Sequence, residues 1–199
     1  MSEFEHLEDG SVLDLVIEPD PLLHEVSENV EEIDDDIKKL ASNMLATMYA
    51  NNAIGLAAVQ VGVLKKVIVI DIDHYAREYH ARGIERKFLH NNKPLVLINA
   101  EIIESSKRAN SIEEGCSSLP GISVKVERPS KIKVKFLDYF GNESEIKVTN
   151  TLLTVCIQHE IDHTNGIVLL DYVSKFKKDF FMMKLIKQKK RILSAKEAL

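Results

Sequence analysis

The feature of this sequence that most constrains its fold is the segment His159-Glu160-Ile161-Asp162-His163. Two histidines four residues apart project from the same face of an α-helix, about one turn apart, so both imidazoles can reach one metal ion. The glutamate that follows the first histidine is placed to act on a water molecule at that ion. The alternative is an ordinary polar helix face, because matches to the HExxH pattern also arise by chance.

The residues around this segment favour the metal site. Leu152 and Cys156 precede the two histidines at helical spacing, so we expect His159 and His163 to extend an apolar stripe that faces the core. Buried imidazoles without partners are costly, whereas a metal ion satisfies them. Cys116, in a loop after a glycine, is a credible third ligand. Three protein ligands plus water are the composition of a catalytic site, since a fourth ligand would close a structural one.

Hydrophobic periodicity and turn residues predict an α+β fold, in which mixed or antiparallel β-sheets surround the central HExxH helix and a C-terminal helix follows. The predicted helices are 33–50, 152–163 and a last one from about 175, and the predicted strands are 66–72, 95–99, 131–136 and 145–148. Residues 73–94 are predicted to be a surface loop, whose scattered histidines (His74, His80, His90) are taken as plain solvated residues. We predict an N-terminal extension over 1–16, a catalytic domain over 17–173 and a basic C-terminal helix over 174–199.

Bulk composition limits the classes of function. The chain has 199 residues, of which 45% are hydrophobic and 29% charged, as in a globular protein with one domain. A net charge of -5 argues against DNA binding. Residues 1–15 lack the pattern of a signal peptide and no apolar run is long enough for a membrane span, which predicts a cytoplasmic location without membrane contact. Cys116 and Cys156 could form one disulfide, but in the cytosol metal or free-thiol roles are favoured.

Three segments together resemble the signature motifs of the peptide deformylases. They are residues 54–60 (IGLAAVQ), 114–118 (EGCSS) and 158–163 (QHEIDH), and their order and intervals also fit the family. The resemblance implies removal of the formyl group from N-formylmethionine at the start of nascent polypeptides. It also implies one divalent metal ion, with Fe(II) favoured and Zn, Ni or Co as alternatives, held by Cys116, His159 and His163.

The chemistry of such a site assigns a role to each nearby group. Glu160 would take a proton from the attacking water and return it to the departing amine, as a general base and then a general acid. The side-chain amide of Gln60 and the backbone N–H of Ser117 would donate to the developing oxyanion. Losing one such donor typically costs ~100- to 1000-fold in rate. Gln60 could instead be a polar residue that ends a turn.

The substrate site is expected to involve four residues near these motifs: Ile54, Gly55, Gly115 and Cys156. Small residues such as Gly55 let a peptide approach the backbone closely, although tight core packing would explain them as well. Ile54 and Cys156 are candidates for the wall of an apolar methionine pocket. Arg128 and Asp162 could support the metal ligands, with surface salt-bridging as their default role.

The sequence departs from the family pattern at four positions without losing a ligand, the base or an oxyanion donor: Ala53, Val59, Ser117 and Thr164. These changes leave two rival hypotheses. The first is a deformylase-like paralogue with weak activity or another N-formyl or N-acyl substrate. The second is an HExxH metallopeptidase, against which Cys116 argues because such proteases generally use histidine or glutamate as the third ligand.

The C-terminal segment from 175 onwards combines many lysines with phenylalanines and aliphatic residues. Such a basic helix could contact ribosomal RNA. The resemblance to the C-terminal helix of bacterial family members implies the same contact. The alternative is a solvated face whose apolar side packs on the domain.

Overall fold

A computed structural model of the chain describes residues 9–74, 93–149 and 151–197. These ranges contain three α-helices, α1 (Asp35–Ala50), α2 (Leu152–Thr164) and α3 (Lys175–Glu197). They also contain seven strands: β1 (Gly55–Ala57), β2 (Val67–Ile70), β3 (Leu95–Ser105), β4 (Ala109–Gly115), β5 (Ser123–Pro129), β6 (Lys131–Leu137) and β7 (Glu143–Thr149). The α+β prediction is confirmed.

The strands form two antiparallel sheets. Five of them make one sheet in the order β1-β2-β3-β6-β7, and β4 pairs with β5 in a separate hairpin. The predicted strands 131–136 and 145–148 correspond to β6 and β7, which pair as a hairpin. The hairpin of β4 and β5 is in register from Ala109 opposite Pro129 to Gly115 opposite Ser123, so Cys116 lies directly beyond the end of β4.

The five-stranded sheet is covered by a different helix on each face. Residues that alternate along a strand point to opposite faces, and in β2 every residue is apolar and buried. Ile68 and Ile70 pack with Ile157 of α2, whereas Val67 and Val69 pack on the other face with a group from α1 that comprises Met44, Leu45 and Met48. The sheet therefore separates two apolar layers. Helix α2, which carries the metal-binding motif, packs on one of them, and α1 packs on the other.

Helix α2 is the central helix of the fold. It begins after Thr151, whose hydroxyl accepts from the backbone N–H of Thr154 at 3.3 Å, and it ends before Gly166, which takes a positive φ of 71°. Its residues are buried on nearly all sides. The prediction of a single core-facing stripe is wrong at its first member, because Leu152 is 44% exposed. The helix is enclosed by its neighbours rather than packed along one stripe.

Most of the predicted surface loop over 73–94 lies outside the described residues, including His80 and His90. His74 is described and is half-buried, with its ring stacked on Tyr49 at a centroid distance of 4.1 Å. The prediction of a plain solvated residue is therefore wrong for His74.

The described part of the N-terminal segment runs along α1. The backbone N–H of Ser11 donates to Asn43 Oδ1 at 2.8 Å, and that of Leu13 donates to Thr47 Oγ1 at 2.9 Å. At the other end of the chain, Leu185 of α3 is buried against the β5 side of the molecule. Within the described ranges, no helix combines the length and the apolar character needed to cross a bilayer.

Candidate metal centre

One thiol and two imidazoles converge at the centre of the molecule. The ligand atoms of Cys116, His159 and His163 all lie within 4.8 Å of one another, and Cys116 Sγ is 3.2 Å from His163 Nε2. Two features of the fold produce this arrangement. Successive turns of α2 present the two histidines on one side, and the end of β4 brings the cysteine to them across 43 or more residues of sequence.

The three side chains fit a single divalent transition-metal ion. Sulfur and imidazole nitrogen are the donors that such ions prefer, and both histidines are almost fully buried. Burial and the neighbouring His159 lower the pKa of His163 well below its usual value, so this imidazole is neutral and offers a lone pair. Its Nε2 atom is directed at Cys116. Among the described residues, its Nδ1 atom has no hydrogen-bond partner.

A buried network fixes the orientation of the first histidine. His159 Nδ1 donates to Glu114 Oε2 at 2.9 Å, which leaves Nε2 as the ligand atom. Burial opposes the charged imidazolium of His159, but the contacts with Cys116 and Glu114 raise its pKa well above the usual value. Burial likewise opposes the charge of Glu114, but hydrogen bonds from His159 and Arg128 lower the pKa of this carboxyl. Glu114 therefore acts as an ionised acceptor behind the histidine.

Arg128 joins two carboxylates in this network. Its Nε and Nη2 atoms donate to Glu114, the latter at 3.0 Å, and its Nη1 atom donates to Asp162 Oδ2 at 2.8 Å. The hydroxyl of Tyr172 donates to the same Asp162 oxygen at 2.7 Å. Arg128 is only 4% exposed, so the default expectation of a surface salt bridge is wrong for it. Bidentate contacts of a buried guanidinium give a rigid support.

Replacing Glu114 with glutamine will weaken metal binding by about 10- to 100-fold, because a neutral amide oxygen holds the His159 ring less strongly than the ionised carboxylate does. The substitution also leaves the buried Arg128 with one carboxylate partner instead of two. Breaking a buried ion pair completely lowers the free energy of unfolding by about 3–5 kcal/mol, so we expect a loss below that value. Metal titration followed by a denaturant melt measures both effects. Glu113→Gln, the same change at the exposed neighbouring position, is the control. Equal metal affinity in the two variants would contradict the role of Glu114.

A carboxylate and an amide stand beside the three ligand side chains. Glu160 is 4% exposed and burial raises its pKa to about 7. Its Oε2 atom has no hydrogen-bond partner within the part of the chain that the structure describes. Gln60 Nε2 donates to Cys116 Sγ at 3.4 Å and to Ser118 Oγ at 3.2 Å, while Gln60 Oε1 accepts from the backbone of Ala57 at 2.9 Å. The Gln60 amide is thus held with its donor side toward the cysteine.

The site opens into a cavity of about 400 Å³. The predicted substrate residues Ile54, Gly55, Gly115 and Cys156 all line it, together with Ser117 and an apolar wall that the sequence analysis did not foresee: Ile112, Leu152 and Val155. At Gly55 a Cβ atom would lie 2.6 Å from Cys156 Sγ and 2.6 Å from Glu160 Oε1, so only glycine fits there.

Both cysteines are free thiols. Cys156 Sγ donates weakly to the backbone oxygen of Ile54 at 3.7 Å, and burial raises the pKa of this thiol well above its usual value. The disulfide alternative is therefore wrong. Cys156 contributes a protonated, apolar surface to the cavity, whereas Cys116 faces the imidazoles.

Sequence reasoning missed the roles of Glu114 and Ser118, although it included both in a motif. A signal for Glu114 exists in the alternation of β4, where Ile112 and Glu114 point inward and Glu113 points to solvent. An inward carboxylate two residues before a candidate ligand is expected to have a buried partner. For Ser118 the sequence carries no comparable signal, because its contact with Gln60 joins two distant segments.

Comparisons with known proteins agree with this geometry. The family model described as polypeptide deformylase matches residues 12–179. The peptide deformylase of Rhizobium meliloti (strain 1021) is 42% identical over 176 residues, which are 88% of this chain and 93% of that protein. That of Rickettsia akari (strain Hartford) is 42% identical over 184 residues, or 92% and 99% of the two chains. The crystal structure of the Ehrlichia chaffeensis peptide deformylase in complex with actinonin superposes with a TM-score of 0.79 at 44% identity, covering 89% of this chain and 98% of that one.

An α+β fold that gathers a thiol, two imidazoles and a buried carboxylate at a cavity defines a metal-dependent hydrolase. The chain belongs to the peptide deformylase family, whose members use a single metal ion to remove the N-formyl group from nascent polypeptides. The predicted resemblance is confirmed, and the comparisons support neither the paralogue nor the metallopeptidase hypothesis.

Proposed function

We propose that this chain deformylates N-formylmethionyl peptides with Cys116, His159 and His163 as the ligands of one divalent ion and Glu160 as the proton carrier. The observation that supports this assignment is the convergence of the three ligand atoms within 4.8 Å of one another, beside a cavity that Cys116 and His159 line. Three ligands leave a coordination position for water or substrate.

Iron(II) is the ion we favour, and zinc, nickel or cobalt would also suit one thiolate and two imidazoles. When bound, the divalent ion supplies a Lewis acid that lowers the pKa of water and polarises the formyl carbonyl. Glu114 and Arg128 would hold His159 in place for that ion.

Glu160 moves the proton in this proposal. Its carboxylate lies next to His159 in sequence and beside Gly55 in space, with one oxygen free of hydrogen bonds to any described residue. It accepts the proton of the attacking water and transfers it to the amine that leaves when the C–N bond of the formamide breaks. Burial keeps the carboxylate away from bulk water, which would otherwise compete for the proton.

In this proposal, two donors serve the oxyanion that develops on the formyl oxygen. The Gln60 amide is anchored through its oxygen to Ala57, so its nitrogen stays on the side of Cys116. The backbone N–H of Ser117 follows the cysteine directly. Donors that are fixed before the reaction stabilise the transition state without reorganisation.

The cavity suits a methionine side chain followed by an extended peptide. Ile54 and Cys156 form one part of its apolar wall, and Ile112, Leu152 and Val155 form the rest. Strand β4 pairs only with β5 among the described strands, so its other edge offers backbone groups to a peptide. Addition of a peptide as a further strand gives affinity with little dependence on the later side chains.

The test is anaerobic purification with metal analysis, followed by a formate-release assay on formyl-Met-Ala-Ser. We expect about one equivalent of divalent metal per chain and formate release that a chelator abolishes and Fe(II) restores. Anaerobic handling matters because Fe(II) and the ligating thiolate are both oxidisable. A metal-loaded chain that releases no formate would refute the proposal.

We also propose that the protein works in the cytoplasm and contacts the ribosome through α3. This helix exposes several lysines, among them Lys175, Lys177 and Lys187, whose positive charges suit contact with RNA phosphates. It also exposes Phe176 and Phe180, at 82% and 57%, although the opposite side of the helix packs Leu185 into the core. Apolar residues therefore lie on both sides of α3, and the expectation of an apolar face that only packs on the domain does not describe it.

Changing Lys175, Lys177 and Lys187 together to glutamate will abolish co-sedimentation with ribosomes at low salt, because the helix then repels the phosphate backbone. Co-sedimentation of the unchanged protein should weaken as salt increases. The control changes three exposed lysines on the sheet side to glutamate: Lys107, Lys131 and Lys147. Retained binding in the α3 variant, or equal loss in the control, would discard the ribosome contact.

A further inference from the structure

We infer that Tyr49 and Asp71 form a positioning pair that fixes the Ile54–Gly55 wall of the substrate cavity. Neither residue lines the cavity, and neither belongs to a signature motif. The inference rests on the proposed function in so far as that wall receives the formylmethionyl group.

The wall is the end of a tight connection between α1 and β1. After α1 the chain turns at Asn52, which has a positive φ of 54°, and the backbone N–H of Ala53 donates to Met48 at 3.0 Å. The next residues are Ile54 and Gly55, both of which line the cavity. Only three residues lie between the last residue of α1 and Ile54, so any shift of the helix end reaches the wall directly.

Asp71 forms hydrogen bonds to both ends of the segment that joins α1 to β1. Its backbone N–H donates to the Ile54 oxygen at 2.8 Å, and its Oδ2 atom accepts from the Tyr49 hydroxyl at 2.6 Å. Tyr49 belongs to the last turn of α1, and Asp71 directly follows β2. The carboxylate is 1% exposed, and its other oxygen accepts from the backbone of Asp73 at 3.2 Å. A buried hydrogen bond to a charged acceptor is among the stronger ones in proteins.

The wall has no room to move toward the reacting groups. The space that a side chain at Gly55 would occupy is taken by Cys156 Sγ and Glu160 Oε1. Ile54 contacts the same thiol through its backbone oxygen. A shift of this segment is therefore directed away from Cys156 and Glu160, so it changes the methionine pocket and leaves the surroundings of the proton carrier in place.

The test is Tyr49→Phe, which removes one hydroxyl and keeps the ring that stacks on His74. We expect KM for formyl-Met-Ala-Ser to rise roughly tenfold, the equivalent of one charged hydrogen bond, with kcat reduced by no more than about twofold. The preference for formyl-Met-Ala-Ser over formyl-Ala-Ala-Ser should fall by a similar factor because the pocket wall is loosened. Metal content should not change.

Thr47→Val is the matched control. It removes one hydroxyl from the same helix, where Thr47 accepts from the backbone of Leu13, and neither residue lines the cavity. We expect it to lower the melting temperature comparably and to leave KM and the substrate preference unchanged. An unchanged KM in Tyr49→Phe, or an equal rise in Thr47→Val, would overturn the inference.

Hydrogen exchange separates this inference from the proposed function. In Tyr49→Phe, the amides of Ala53 and Asp71 should exchange faster, whereas those of α2 should not. This measurement needs no substrate. A chain that releases no formate would defeat the proposed function alone, and unchanged exchange at these two amides would defeat the positioning pair alone.

Discussion

Replacing Glu160 with glutamine will lower formate release by about 100- to 10,000-fold, the usual contribution of a positioned general acid–base group. Glutamine has nearly the same shape, so the packing around Gly55 and Cys156 is kept. An amide neither accepts a proton from water nor carries one to the leaving amine. The three ligand atoms are untouched, and the metal content of the purified variant should equal that of the unchanged protein.

The comparison variant for this prediction is Glu143→Gln, the same chemical change on the exposed strand β7. It should release formate at the normal rate. Activity of Glu160→Gln above about a tenth of normal would show that another group carries the proton. Loss of metal from Glu160→Gln would instead show that this carboxylate supports the ligands.

The central helix and its chemistry could be predicted from sequence because they depend on local spacing. His159 and His163 are one helical turn apart in any α-helix, so their common direction follows from the pattern alone. Burial of the helix on nearly all sides could not be predicted in this way. It depends on a five-stranded sheet whose strands are drawn from residues 55–149, and Leu152 is exposed at the first residue of the helix.

Contacts between distant segments account for the rest of the site. Gly55 was expected to allow close approach of a peptide, whereas the structure shows that it also makes room for Cys156 and Glu160 of α2. For Arg128 the sequence leaves open a role behind the metal ligands, and a surface salt bridge is the default because arginine is usually exposed. Arg128 is buried because Glu114 lies inward on the paired strand and Asp162 follows on α2, and together they compensate its charge. No local pattern contains all three residues.

Replacing Cys116 with alanine will remove the metal site and with it all metal-dependent formate release. Two histidines remain, which is one ligand fewer than a catalytic site of this kind uses. Losing a supporting contact can lower metal affinity by roughly 100-fold, and losing a ligand itself should lower it by well over that factor. After dialysis against buffer without added metal, we expect the variant to contain far less than one equivalent. The fold should persist, because Cys116 is only partly buried and its neighbours in β4 remain paired with β5.

The chain offers a matched control in its second cysteine. Cys156→Ala makes the same chemical change at a cysteine that lines the same cavity, one helical turn before His159. This variant should keep a full equivalent of metal. The pair separates ligation from a general effect of losing sulfur, since only one of the two sulfur atoms lies within reach of the imidazoles. If Cys116→Ala retained metal as well as Cys156→Ala does, the two imidazoles would have to find their third ligand elsewhere, and the carboxylate of Glu160 would become the first candidate for that position.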